Sequence, residues 1–202
     1  MQTKKYLAAP FSIGGLSALL LAGCATSLGD NITIPVGEGA MYEAMPKEKS
    51  IAHLEKNIRE AKKQDMPFLA PHYFREASDI FNRAVSSPDK VPTAQLAKAD
   101  VLIDKGQAVS EIVKKTFARE LELKVRLDAL AANEIYPWEY KRIIYQLSQL
   151  VEKVELERVG NIDQDKEELN KSMQGLYSRA IQYTSLHESH INSDPITKDG
   201  KE

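Results

Sequence analysis

Between Pro92 and Pro137 the chain contains no proline and a single glycine, Gly106, so nothing local stops one helix from Thr93 to about Asn133. At 1.5 Å per residue such an element would run roughly 60 Å. Its apolar residues Leu102, Ile103, Val109, Ile112, Val113, Phe117, Leu121, Leu123 and Leu127 cover more than half of a helical wheel. That is too broad for the seam of a two-stranded coiled coil and demands several neighbours from the same chain. Those neighbours are legible at three-then-four spacing. Ile51, Leu54, Ile58 and Ala61 mark one helix, and Phe74, Ala77, Phe81 and Ala84 mark a second, opened by Pro71 at a favoured first-turn position and followed by the breakers Pro88 and Pro92. Tyr140, Ile144, Leu147, Val151 and Val154, closed by Gly160, mark the next, and Leu169, Met173, Leu176, Ala180 and Tyr183 mark the last. The expectation is an all-α fold: an elongated bundle of about five helices over 47–190, with one long central helix and shallow crossings.

The N-terminus has a different character. Lys4 and Lys5 precede a mostly apolar run from Tyr6 to Ala22, which closes on Leu21-Ala22-Gly23-Cys24, with the chain's only cysteine directly after two small residues. Pro10, Gly14 and Gly15 interrupt a run already short for a bilayer span; the competing reading is a transmembrane anchor followed by a leftover thiol. The tetrapeptide resembles the lipobox of bacterial lipoproteins. The resemblance implies that 1–23 is a signal peptide, that the Cys24 thiol takes a diacylglyceryl group, that cleavage falls between Gly23 and Cys24, and that the new amine is acylated in turn. Two or more acyl chains hold a protein stably at a membrane, at roughly 0.8 kcal/mol per buried CH₂, whereas one binds marginally. Ala25, where many inner-membrane lipoproteins carry Asp, is similar to the outer-membrane class and implies a lipid-anchored, periplasm-facing protein. Residues 24–46 contain Gly29, Gly37, Gly39, Pro35 and Pro46 without a helical period, and read as a flexible tether. Such a coil spans roughly 25 Å on average and roughly 70 Å fully stretched, while alternation over 31–36 leaves a short docked strand open. Residues 191–202 read as a disordered tail.

Around Ala70-Pro71-His72-Tyr73-Phe74-Arg75-Glu76-Ala77, continuing through Ile80, Phe81 and Ala84, the chain resembles helical periplasmic lipoproteins that often precede an OmpA-like, peptidoglycan-binding domain. The likeness covers roughly 51–132 and rests mostly on generic helix spacing. After Asn133 the chain continues as Lys- and Glu-rich helices, without the glycine-rich strands an OmpA-like domain needs. Neither peptidoglycan binding nor any functional residue transfers with the resemblance.

Cleavage would remove two of the 27 basic residues and none of the 29 acidic ones, leaving a formal charge of −4. Lysines and arginines spread among acids argue against nucleic acid as a partner, because phosphate binding needs them clustered. With Cys24 acylated no thiol remains for a disulfide, so stability must come from packing. The chain has no phosphate loop, no Gly-x-Ser-x-Gly elbow and no His-Glu-x-x-His, and no cofactor is expected. Glu167 and Glu168 read as favourable charge in a first helical turn rather than as a catalytic pair.

Three constellations invite a sharper reading. His187 and His190 continue the last stripe and could supply half a metal site, with His53 or His72 completing it; the plainer reading is a wet helix end. Glu120 and Lys124 fall in the apolar sector of the long helix, spaced for an ion pair that would fix register if buried, or simply solvated where the stripe drifts. Tyr136, Trp138, Tyr140 and Tyr145 gather around Pro137, either as a partner surface or as packing that fixes a corner. The functional expectation is a scaffold or adaptor held at the membrane by its lipid and binding an envelope protein or a peptidoglycan-associated component. The alternatives are a module with an apolar pocket for lipid or a cell-wall fragment, and an envelope enzyme without a familiar motif.

Overall fold

A computed structural model describes the backbone of residues 32–191 and the side chains of residues 32–186. Residues 1–31, which include the expected signal peptide, Cys24 and the first part of the expected tether, and residues 192–202 with the expected tail lie outside the described residues. Among the described residues nine α-helices follow one another: α1 (Val36–Ala44), α2 (Lys47–Lys63), α3 (Met66–Leu69), α4 (Pro71–Ser86), α5 (Thr93–Thr116), α6 (Ala118–Ala129), α7 (Ala132–Ile135), α8 (Pro137–Glu155) and α9 (Ile162–Ile191), with a 3₁₀ turn at Pro88–Lys90 between α4 and α5. Among the described residues all regular structure is helical, and no helix is long and apolar enough to cross a membrane.

Proline starts most of these helices. Pro71 and Pro137 stand at the first helical position of α4 and α8, and Pro35, Pro46 and Pro92 immediately precede α1, α2 and α5. Proline's fixed φ suits a helix start and its missing N–H costs nothing there. None of the helices from α1 to α8 has its N-terminus capped by the side chain of its own N-cap residue.

Two expectations are corrected. The long helix is not continuous: it breaks at Phe117 (φ −113°, ψ 28°), and α6 stops at Ala129. The break carries its own compensation. Lys166 of α9 donates to the carbonyl of Thr116 at 2.5 Å, satisfying an oxygen left free at the end of α5, and its ammonium sits 5.9 Å from the centre of the fully buried Phe117 ring. Tertiary packing overrides a sequence with no breaker, and the longest helix is α9, 30 residues or about 45 Å. The stretch assigned to the tether is corrected as well, because Val36–Ala44 is a helix whose Tyr42 is fully buried, and Ile32 and Ile34 pack against the same core. No strand forms at 32–36. From Cys24 to Ile32 covalent geometry allows at most about 30 Å, less than half the expected reach.

The buried apolar residues form two cores in series. The first joins Tyr42, Leu54, Ile58, Met66, Ala77, Ile80, Leu96, Leu102 and Ile103 from α1 to the first half of α5; the second joins Leu69, Val113, Phe117, Leu127, Ile143, Leu147, Val151, Leu169, Met173 and Leu176. Val109 of α5 packs against both. The four-residue α3 straddles them, with Met66 in one and Leu69 in the other. Gly106 makes this junction possible: a Cβ there would lie 1.8 Å from Met66 Cε and 3.0 Å from Tyr73 Cβ.

A carboxylate fastens the two halves. Glu155, at the end of α8 and 2% exposed, accepts hydrogen bonds from the backbone N–H groups of His72 (3.1 Å) and Tyr73 (2.8 Å) in the first turn of α4. It serves as an N-cap supplied from another helix, satisfying orphan donors and placing negative charge at the positive end of α4. Burial raises its carboxyl pKa, although the two N–H bonds pull it down. Beside it, His72 Nε2 lies 2.9 Å from Glu152 and His72 Nδ1 lies 2.6 Å from the Arg75 guanidinium.

Replacing Gly106 by Ala should lower the unfolding free energy by about 1–3 kcal/mol through overpacking, outweighing the helix-propensity gain of about 1 kcal/mol; urea denaturation measures it. Glu155→Ala should cost about 1–3 kcal/mol by stranding two buried donors, with hydrogen exchange at His72 and Tyr73 accelerated first; unchanged protection there would refute the capping role.

Candidate functional site

The aromatic group around Pro137 divides. Tyr136 and Tyr140 pack against the second core and build the corner. The Tyr136 ring meets Tyr183 edge-on at 6.4 Å and carries the Arg179 guanidinium at 5.5 Å, while Arg179 grips Glu139 through two hydrogen bonds of 3.0 and 2.6 Å. The Tyr140 hydroxyl donates to Asp128, tying α8 to α6; burial and that carboxylate push its pKa far up. Trp138 and Tyr145, 84% and 64% exposed, belong to the surface instead. Seven residues apart, they lie within about 20° of one another on α8. Lys141 and Arg142 fill the turn between them, with the Lys141 ammonium 5.8 Å from the centre of the Trp138 ring. The opposite side of α8 supplies Ile143, Leu147, Leu150 and Val151 to the core, so the fold makes no demand on the aromatic side.

Glu120 and Lys124 part company. Glu120 is 1% exposed and accepts from Asn170 Nδ2 at 3.0 Å, whereas Lys124 turns outward to Asp128 at 2.8 Å. The second Glu120 oxygen is sealed from solvent without a hydrogen-bond partner. A cleft of about 490 Å³ between α6 and α9 borders this pair and is otherwise lined by charged and amide side chains including Arg119, Lys166 and Lys171. Smaller, at about 200 Å³, is a cleft between α8 and α9 beside Tyr145, Lys153 and Asp165.

The histidines do not converge. His187 and His190 fall on α9, but their side chains lie outside the described residues. His53 Nε2 sits 3.4 Å from Asp100, and His72 pairs with Glu152, so each has a carboxylate of its own in a different half of the molecule. Among the described residues no three His, Cys, Asp or Glu side chains are grouped to hold a metal ion. Cys24 and Gly23 lie outside the described residues. Helix α9 begins at Ile162, so its first-turn acids are Asp163 and Asp165, and Glu167 lies further in, paired with Lys171 at 2.8 Å.

Sequence reasoning missed a polar lock under α1. Tyr42 inserts fully into the first core, its ring edge-on to His53 at 5.9 Å and its hydroxyl beside the Asp100 carboxylate without a hydrogen bond of good geometry. Asp100, 6% exposed, is held by Asn57 Nδ2 at 2.6 Å and by His53. Around it Glu38 of α1 and Asp104 of α5 have raised carboxyl pKa values, through burial first and then the charge of Asp100; for Glu38, Asp104 adds to the rise and His53 opposes it. Burial and the neighbouring Asp100 also drive the Tyr42 pKa far up. The one available signal was Asp100 itself, an acid among Leu96, Ala97, Ala99, Val101, Leu102 and Ile103, all of them buried.

Because Glu38 and Asp104 bind protons more tightly when α1 is docked, docking should be strongest near and below their ordinary pKa values of 4.5 and 3.8, and should weaken as pH rises through the raised values. Protection factors for α1 amides should therefore fall as pH rises above the ordinary values of 3.8 and 4.5, and Glu38→Gln with Asp104→Asn should flatten the profile. Compared with known proteins, the chain matches no family model, no curated protein and no solved structure.

Proposed function

We propose that the protein is a lipoprotein anchored through Cys24 in the outer membrane and facing the periplasm, where its helical body acts as a scaffold or adaptor for another envelope component. The observation that carries this reading is the pairing of two buried apolar cores with the outward Trp138 and Tyr145 on α8. Large aromatic rings left outside a packed core are the side chains most often used as anchors for a partner. The lipid-binding alternative needs an apolar chamber, and the clefts along α9 are lined mainly by Lys, Arg, Glu, Asp and amide side chains. A cleft of that chemistry does not shelter an acyl chain.

The short reach between Cys24 and Ile32 adds a spatial argument. The body begins within about 30 Å of its lipid, and with α9 alone about 45 Å long it can reach a partner in the membrane or in the layer beside it.

Cys24→Ser should release the protein from the membrane fraction while leaving its helical content and unfolding midpoint unchanged. Crosslinking in intact cells with the wild-type chain should then capture an envelope component, and the Cys24→Ser chain should lose that capture. Retention of the unacylated variant in the membrane would sink the anchor, and an absence of crosslinks above background would sink the adaptor.

A further inference from the structure

We propose that the outward face of α8 is a second membrane contact, in which Trp138, Lys141, Arg142 and Tyr145 seat in the headgroup layer of an anionic bilayer; this rests on the anchored-lipoprotein reading and names the component that the aromatic face meets. Trp and Tyr at a membrane interface place an apolar ring toward the acyl boundary and a polar edge in the headgroups, and Lys and Arg beside them meet the phosphates. All four are exposed here on two successive turns of one helix face.

The charge pattern selects the partner. Among the described residues neither Lys141 nor Arg142 has an acidic partner, while the acid between Trp138 and Tyr145, Glu139, is taken up by Arg179. The stripe continues through the neutral Gln146 and Gln149 to Glu152, which His72 and Gln149 engage. Protein interfaces enrich Trp, Tyr and Arg, but they are depleted in lysine and centre on residues that exclude water. A lysine and an arginine flanked by two amphipathic rings, with no aliphatic centre, fit a phosphate-bearing surface better.

Such a contact is weak alone and effective when tethered. Acylation at Cys24 already holds the chain at the membrane, and the short link to Ile32 keeps the body within reach, so the second contact forms at high effective concentration. Helix α1, which follows that link, packs on α5 within the first core, whereas α8 belongs to the second. Two contacts in different halves would hold the body lengthwise along the bilayer.

Trp138 is the only tryptophan, so its fluorescence reports on this face alone. The full acylated chain is reconstituted into vesicles of phosphatidylcholine, or of phosphatidylglycerol with phosphatidylethanolamine. Flotation with the phosphatidylcholine vesicles reads the Cys24 anchor by itself. On the anionic vesicles Trp138 emission should shift to the blue and resist acrylamide quenching. Lys141→Gln with Arg142→Gln should lower the ratio of docked to undocked Trp138 roughly thirty-fold, the attraction of two surface cations, with helical content unchanged. Emission that stays at the water-exposed position on anionic vesicles at millimolar lipid overturns the proposal, whether or not the chain floats. A photo-crosslinking phenylalanine in place of Tyr145 should form lipid adducts in cells, and adducts to a protein instead would overturn it too.

Discussion

One helix belongs to two hydrophobic cores, and the remainder of the molecule is arranged to permit that. The N-terminal half of α5 packs Leu96, Leu102 and Ile103 into the first core, its last turns pack Val113 into the second, and Val109 touches both. A helix shared this way must let other elements change sides around it. Met66 and Leu69 do so within a single turn of α3, and the crossing is close enough that a Cβ at Gly106 would displace the end of the Met66 side chain and press on Tyr73. Beside this shared apolar contact, the Glu155 carboxylate adds hydrogen bonds to the start of α4.

Much of the architecture is legible in the sequence, and the failures have physical reasons. The stripes Leu54, Ile58, Ala61 and Leu169, Met173, Leu176, Ala180 are buried as their spacing requires, and Pro71 and Pro137 open the helices they mark. The break at Phe117 was illegible because the groups that compensate it, Lys166 and the second core, lie far along the chain. The end of α6 was equally hidden: Ala131 takes a left-handed conformation (φ 51°) that glycine usually announces, as do Asp65 (φ 59°) and Glu157 (φ 56°). Helix α1 escaped notice because Gly37 and Gly39 are poor helix formers, and its docking depends on Tyr42 finding a slot built by α2 and α5.

The candidate site shows the same division. Exposure of Trp138 and Tyr145, against partial burial of Tyr136 and Tyr140, follows from which side of α8 faces α5 and α9, and the sequence spacing alone left all four equivalent. Glu120, Asp100 and Glu155 each interrupt or extend an apolar stripe with a charge. Spacing identified the first as unusual but could not name its partner, Asn170, which stands on a different helix. A buried carboxylate is a sequence-visible question whose answer is tertiary.

The cap on α4 also bears on the order in which the chain can become whole. A polypeptide emerging N-terminus first has made nearly all of its first core once Ile103 has appeared, since Leu54, Ile58, Ala77, Ile80 and Leu96 precede it. The carboxylate that closes α4 arrives only with residue 155, and until then the N–H groups of His72 and Tyr73 lack their partner. The earlier half therefore waits on the later one for its final closure. Any process that delivers the chain N-terminus first presents a first core complete in its apolar contacts while the start of α4 is still uncapped.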